Sequence, residues 1–413
     1  MDVIVLGLML LSLTIWLGLL CFWGQFWRTD QQLEVTETQL KSLPVVCVVV
    51  PARNEAELIP TTLRSLLLQD YPGSFNVFLV DDRSTDRTAN FAEGVAHAVG
   101  KPQQLHIISG ESLPSGWSGK LWAVEQGIAI ASNFAPDYFL LTDADIEHDS
   151  GNLRRLVAKA VQEDLDLVSV MVRLRCKSFW EKLLIPAFVF FFQKLYPFRW
   201  VNNQNNPTAA AAGGSILIAR EALERIGGIQ VIRQALIDDC ALAQAVKRGT
   251  GEGTREEFSQ SPVPNTQYPI PIKGRIWLGL STLTRSLRPY DSLATIWDMV
   301  ARTAYTQLNY SPLLLLGTLV GMPLIYLVAP LCVILGAIWS NWAIALTGLL
   351  GWLLMALAYY PTIRFYKCSV WFAFSLPAIA FLYTLMTLDS ALRHWQGRGG
   401  AWKGRVYPSS DNL

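Results

Sequence analysis

Leu140-Leu141-Thr142-Asp143-Ala144-Asp145 is an apolar run that closes on two carboxylates spaced two residues apart. Side chains alternate along an extended chain, so Asp143 and Asp145 point the same way from the carboxyl end of a strand. Two such carboxylates can converge on one cation. Oxygen-only ligation suits Mg²⁺ or Mn²⁺, which usually complete their shell with substrate phosphates. In an α/β sheet the crevice beyond the strand ends is also where ligands bind. The alternative is that both acids serve a turn or a helix cap. The triplet therefore draws its weight from the segments around it.

Outward from it, residues 44–249 alternate between strand and helix. Residues 45–50 form an apolar, β-branched run, as a strand buried on both faces requires, and Pro51 stops it. Residues 57–68 place Leu58, Leu63, Leu66 and Leu67 at helical spacing. A second strand at 76–80 ends in Asp81-Asp82, and Ser84 to Asp86 can cap the helix that follows. Strands at 105–108, 138–142 and 166–172, with helices at 119–132 and after Ser150, continue the series. The pattern predicts a doubly wound, mostly parallel α/β domain over residues 44–250. No GxGxxG follows the first strand, where Pro51-Ala52-Arg53-Asn54-Glu55 stands instead, which argues against a dinucleotide oxidoreductase. Gly116-Trp117-Ser118-Gly119-Lys120 lacks the spacing and hydroxyl of a phosphate-binding P-loop. Residues 251–271, rich in Gly, Ser, Pro and acids, read as a flexible loop, and 251–310 as loop plus a juxtamembrane amphipathic segment.

Composition points to a membrane. Of 413 residues, 51% are hydrophobic, 16% are charged and 15 are Trp. A net charge of +1 offers no electrostatic case for nucleic acid. The six cysteines show no CxxC or paired spacing, so buried thiols are expected rather than disulfides or a zinc site. Residues 3–23 are a charge-free run long enough to span a bilayer, read as an uncleaved anchor within 1–25. Residues 313–339, 342–360 and 370–388 are three more candidate spans inside a membrane region at 311–390, with aromatics near their ends. A basic tail (391–413) follows. Arg28 suggests that the segment after the first span lies inside, whereas three later spans would then put the tail outside. Either one run is re-entrant or the count differs by one. Residues 179–198 hold an apolar stretch too short to span, flanked by Lys182, Lys194 and Arg199. It reads equally as an interfacial segment or as a buried core helix.

Four segments in order carry a resemblance: Val48–Glu55 (VVVPARNE), Val80–Asp86 (VDDRSTD), Asp143–Asp145 (DAD) and Asp238-Asp239. Together they resemble the family 2 glycosyltransferases over residues 44–249. With the apolar ends, the chain is similar to the membrane-bound hopene-associated and ceramide glucosyltransferase-like members. Residues 116–123 (GWSGKLWA), 238–242 (DDCAL) and 302–308 (RTAYTQL) carry that narrower likeness. The resemblance implies a GT-A-like fold and an inverting transfer from a UDP-sugar, dependent on Mg²⁺ or Mn²⁺. The acceptor would be a membrane lipid, and the enzyme a multi-pass protein of the cell membrane with its catalytic domain in the cytoplasm. Asp145 would be the main metal ligand and Asp143 its partner on metal or ribose. Pro51, Asn54, Glu55, Asp81 and Asp82 match the nucleoside-binding positions, and Lys120 a lysine near the diphosphate. The family's general base is the Asp of a Glu-Asp pair at a helix start. Here that role falls to Asp239, with Asp238 in place of the Glu as its support or substitute. Gly213 and Gly214 would bring backbone amides to the sugar or acceptor. The family's Gln/Arg-x-x-Arg-Trp motif is missing, and Arg302 and Gln307 could substitute as diphosphate contacts. A polysaccharide synthase and a non-catalytic binding protein on the same fold are the alternatives.

Overall fold

The computed structural model describes residues 2–33, 42–249, 273–398, 401–402 and 405–406. The expected loop at 251–271 and most of the tail beyond residue 398 lie outside the described residues. The chain forms two compact units. Residues 31–173 and 200–288 make a sheet unit, and residues 1–30, 174–199 and 289–413 a helical one.

The sheet unit contains β1 (Val46–Ala52), β2 (Phe75–Asp81), β3 (Leu105–Ser109), β4 (Tyr138–Leu141), β5 (Ile146–Glu147), β6 (Leu167–Arg173), β7 (Ile216–Ala219) and β8 (Ile276–Ser286). They form one eight-stranded sheet in the order β3-β2-β1-β4-β7-β6-β8-β5. The β3-β2-β1-β4 half is parallel, as the βαβ rhythm predicts. β7 then enters antiparallel to both β4 and β6, so the sheet is mixed rather than uniformly wound. β1 is buried at every position, which is why its sequence is a continuous apolar run. Helices Ile59–Leu67 and Asn152–Gln162 cover one face, with Leu63, Leu66, Leu153 and Leu156 joining Val48, Val50, Leu79 and Val168 in a single core.

The domain limit at residue 250 needs correcting. β8 lies within the stretch expected as loop and juxtamembrane segment, yet it pairs with β6 in parallel and with β5 antiparallel. Its Ile276-Trp277-Leu278 start is apolar enough to be buried, so sheet completion there outweighs the polar composition just before it.

Among the described residues of the helical unit four helices are long and apolar enough to cross a membrane: Ile4–Phe22, Pro312–Ile338, Trp342–Phe365 and Val370–Trp395. They correspond to the four expected runs. Helix Phe179–Leu195 belongs to the same unit. Leu184, Ala187 and Phe190 are fully buried among Met9, Tyr326, Tyr359 and Met386. The core-helix alternative therefore describes these side chains, and the interfacial expectation does not, because protein encloses them. A capping box at Ser178 and Glu181 starts this helix.

Candidate active site

The strand ends of the sheet unit gather three acids and one lysine around a glycine. Asp143 follows β4. Lys120 stands in the first turn of helix Gly119–Ala131, whose N-cap Ser118 accepts from Leu121 N. A cation is disfavoured at a helix N-terminus. Two carboxylates outweigh that cost: Lys120 Nζ lies 2.9 Å from Asp143 Oδ1 and 3.0 Å from Asp238 Oδ2. Burial alone would lower the Lys120 ammonium, but Asp143 and Asp238 hold it well above its ordinary range.

Asp238 and Asp239 open helix Asp238–Arg248, where the macrodipole favours acids. Asp239 accepts from Gly213 N at 2.9 Å and from Cys240 N at 2.7 Å. Desolvation, then repulsion by Asp238, pushes its carboxyl up to about 6, although Lys120 and the two amides pull the other way. Asp143 also titrates above its ordinary value, through desolvation first and the nearby Asp145 charge in addition, against the pull of Lys120. An apolar pocket lined by Leu121, Val124, Ile216, Ile229, Ile232 and Leu242 adjoins these groups and accounts for the desolvation. Pro51 lines the same pocket.

Gly213 is the centre of this arrangement. A Cβ built on it would lie 3.5 Å from Lys120 Nζ and 3.6 Å from both Asp143 Oδ2 and Asp239 Oδ2. The missing side chain is thus space among three charged groups. Gly214 has a different reason to be glycine: its Cβ would meet a Val172 methyl at 2.9 Å.

The strand end that carries Asp143 is held from behind. Thr142 Oγ1 donates to Gly214 O at 2.7 Å and lies 3.0 Å from His148 Nε2. With the hydroxyl proton committed to Gly214, His148 Nε2 must be the donor, and Nδ1 accepts from Asn152 Nδ2 at 3.0 Å. The imidazole is buried and desolvation lowers it to about 4, so it serves as a neutral brace.

Asp145 and Glu55 meet a residue that the sequence reading passed over. Arg288 Nε lies 3.0 Å from Asp145 Oδ2, and its Nη2 2.5 Å from Glu55 Oε1. Arg288 stands two residues past β8, and the only signal for it was the apolar start of that strand.

Of the other nucleoside-binding candidates, Asn54 and Asp81 hold loops together. Asn54 Oδ1 accepts from Thr85 N at 2.8 Å, and Asp81 Oδ1 from Ser84 N at 3.1 Å. Asp82 is buried beside Arg53, whose Nη1 donates to the Asp82 carbonyl at 2.6 Å. Arg302 and Gln307 belong to the helical unit. Arg302 is exposed, and Gln307 Nε2 donates to the Tyr196 hydroxyl.

Among the described residues no group of three or more His, Cys, Asp or Glu is placed to hold a metal. Asp143 and Asp145, two residues apart just past β4 and paired with Lys120 and Arg288 respectively, are a two-carboxylate, all-oxygen donor set. That set fits an ion such as Mg²⁺ or Mn²⁺, which takes one or two carboxylates and completes its shell with phosphate and water.

Residues 47–227 match the family described as Glycosyl transferase family 2. A β-monoglucosyldiacylglycerol synthase from Synechocystis sp. is 26% identical over 207 residues, covering 48% of this chain and 39% of that protein. An undecaprenyl-phosphate 4-deoxy-4-formamido-L-arabinose transferase from Enterobacter sp. is 30% identical over 151 residues, covering 35% of this chain and 42% of that protein. The chain thus matches about two fifths of the length of these curated relatives. In fold it is similar to a mannosyltransferase from Pyrobaculum calidifontis, solved in complex with GDP-Man and Mn²⁺. That likeness has a TM-score of 0.54 at 17% identity, over 95% of this chain and 99% of the other. The matched family stretch runs from β1 past β7, and so takes in the strand ends that carry Asp143 and Gly213. Residues 47–227 are a family 2 glycosyltransferase domain, on a GT-A-like mixed sheet.

Proposed function

We propose that the protein is a membrane-bound, inverting glycosyltransferase that moves one sugar from a UDP-sugar to a membrane lipid at the cytoplasmic face. The observation that carries this reading is the cluster around Gly213. It combines a carboxylate tuned to about 6, a bridging ammonium and a strand-end acid, with room among them for a reacting group.

Asp239 is suited to be the general base, since a base whose pKa lies near working pH is efficient. Its Oδ2 is held by Gly213 N, and it accepts the proton of the acceptor hydroxyl as that oxygen bonds to the anomeric carbon. The bond from this carbon to the diphosphate oxygen breaks in the same displacement, which inverts the configuration. Lys120 holds Asp143 and Asp238 in place and supplies positive charge close to the departing group. Asp143 and Asp145 would hold a divalent cation, Mg²⁺ or Mn²⁺, whose chemistry is to offset the charge of the leaving diphosphate. Glu55, Asp82 and Asn54 stand on the β1 and β2 ends as uridine-side residues. Nucleotide-sugars are made in the cytoplasm, which favours that face.

The lipid acceptor is supported by the relatives, one a β-monoglucosyldiacylglycerol synthase and the other an undecaprenyl-phosphate 4-deoxy-4-formamido-L-arabinose transferase. Four helices able to cross a membrane favour the same class. The test incubates membranes containing the protein with labelled UDP-sugars and Mg²⁺ or Mn²⁺, beside an Asp239→Asn control. Label in the organic extract that disappears in the control supports the reading. Label confined to a polymer fraction would replace it with a polysaccharide synthase. No Asp239-dependent label with any donor would leave a non-catalytic binding protein.

A further inference from the structure

Among the described residues of the sheet unit two cations each bridge two acids, and of these the sequence singled out Lys120 alone, as a diphosphate-side residue. Lys120 serves Asp143 and Asp238. Arg288 serves Asp145 and Glu55, at 3.0 and 2.5 Å. The two acids are nearly enclosed, with side-chain exposures of 12% and 6%. A buried carboxylate needs a counter-charge. The planar guanidinium fork can meet two acids with separate nitrogens, which a lysine cannot do as rigidly.

The backbone delivers Arg288 to this place. β5 and β8 pair Ile146 with Ser286. Leu287 N donates to the Asp145 carbonyl at 2.8 Å. Ser286 Oγ donates to Asp145 Oδ2 at 3.3 Å and accepts from Arg288 N at 3.3 Å. Strand pairing thus ties the chain before Arg288 to the main chain of Asp145 itself. The side chain then reaches back to Oδ2 of the carboxylate that would take a divalent cation.

We propose that Arg288 is a positioning residue that fills the cation position at Asp145 and Glu55, and that a divalent cation must displace it to reach Asp145. The proposal rests on the reading that Asp143 and Asp145 hold that cation. A guanidinium and a dication on one carboxylate oxygen repel each other, so the protein alone binds the ion weakly. A nucleoside diphosphate changes the balance, because its oxygens complete the shell of the ion and also accept the fork released from Asp145. Cation and nucleotide therefore bind with positive coupling, and each raises the affinity of the other equally.

Mn²⁺ binding to the purified full chain, followed by electron paramagnetic resonance with and without UDP, tests this without any turnover. Arg288→Gln removes the competitor. It is expected to bind Mn²⁺ alone about tenfold more tightly than wild type, the scale of one ion pair lost at a partly enclosed site. UDP should then improve Mn²⁺ binding less than it does in wild type. Adding Asp145→Asn to Arg288→Gln should abolish the gain. Arg288→Lys keeps a charge but is shorter and holds two acids less rigidly than the guanidinium fork, so a gain of several-fold is expected there; it carries the test if the Gln variant does not fold by thermal melting. Unchanged or weaker Mn²⁺ binding in folded Arg288→Gln and Arg288→Lys, with Asp145→Asn still lowering the affinity of wild type, overturns the role of Arg288 and leaves the cation reading intact. No Mn²⁺ binding by any of these proteins, with or without UDP, overturns both.

Discussion

The backbone N–H of Gly213 donates to Asp239 Oδ2 across 2.9 Å, so the residue that leaves the site open also aims its carboxylate. A methyl at Gly213 would touch Lys120, Asp143 and Asp239 at ordinary contact distance, whereas one at Gly214 would press on Val172 at 2.9 Å. Gly213→Ala is therefore expected to melt like wild type and lose at least about tenfold in transfer rate, through misplaced reactants. Gly214→Ala is expected to lose about 1–3 kcal/mol of stability from overpacking. Thermal melts and labelled-sugar transfer on both variants separate the two roles. Equal Tm losses would count against the division.

Asp239 fixes an acid limb. A base must be deprotonated, and this carboxyl is raised to about 6, so kcat/KM should fall below about pH 6. The linkage sign is opposite to the usual one for an acid. The folded protein holds this proton more tightly than the unfolded chain, whose carboxyl titrates near 3.8, so the ionised group weakens the fold as pH rises from about 4 through 6. Asp239→Asn should abolish transfer yet melt higher than wild type at pH 7.5. That difference should shrink as the pH is lowered through the window.

Lys120 pulls the Asp239 pKa down. Lys120→Met should lower the transfer rate by about a hundredfold, the scale of losing one preorganised electrostatic contact. It should also move the acid limb to higher pH. A pH–rate profile reads both, and an unmoved limb would detach Lys120 from the titration of the base.

Chelation tests the strand-end acids. Treatment with EDTA should stop transfer, and readdition of Mn²⁺ or Mg²⁺ should restore it. Asp145→Asn should raise the concentration of cation needed. Full activity in EDTA would remove the cation from the reaction.

In the helical unit, Glu181 has no exposed side-chain surface. It accepts from Lys177 N at 2.7 Å, Ser178 N at 2.8 Å, Tyr290 N at 2.9 Å and Arg175 Nη1 at 2.5 Å. Burial alone would raise its carboxyl, but these donors overcome that and hold it below its ordinary range. Its stabilisation is present above the unfolded value of 4.5 and is lost as pH falls through the folded one. Glu181→Ala should cost about 2–3 kcal/mol by stranding those donors, seen as a lower Tm at neutral pH.

Local pattern carried much of this protein. The β-branched run of β1, the helical spacing that became Ile59–Leu67 and the helix Gly119–Ala131 were readable because burial and periodicity are written within a few residues. The four apolar helices were readable for the same reason, since span length and composition are local. The acids Asp143 and Asp145 were readable as lying just beyond the apolar run of β4, but strand alternation does not describe them, because β4 ends at Leu141 and Asp145 lies in the turn that follows.

Tertiary structure decided what distant segments share. β7 lies antiparallel between β4 and β6, a pairing that no single stretch encodes. Residues 276–286 became the strand that completes the sheet, and the helix at 179–195 is enclosed by apolar neighbours far along the chain. Arg288 meets Glu55 across 233 positions. A composition window reads Arg288 as a solvated charge. Only strand pairing with β5 brings it to two enclosed carboxylates, where an unpaired acid would be too costly to keep. Residue types and their local spacing thus determined which chemistry is available, and long-range packing determined which charges face one another.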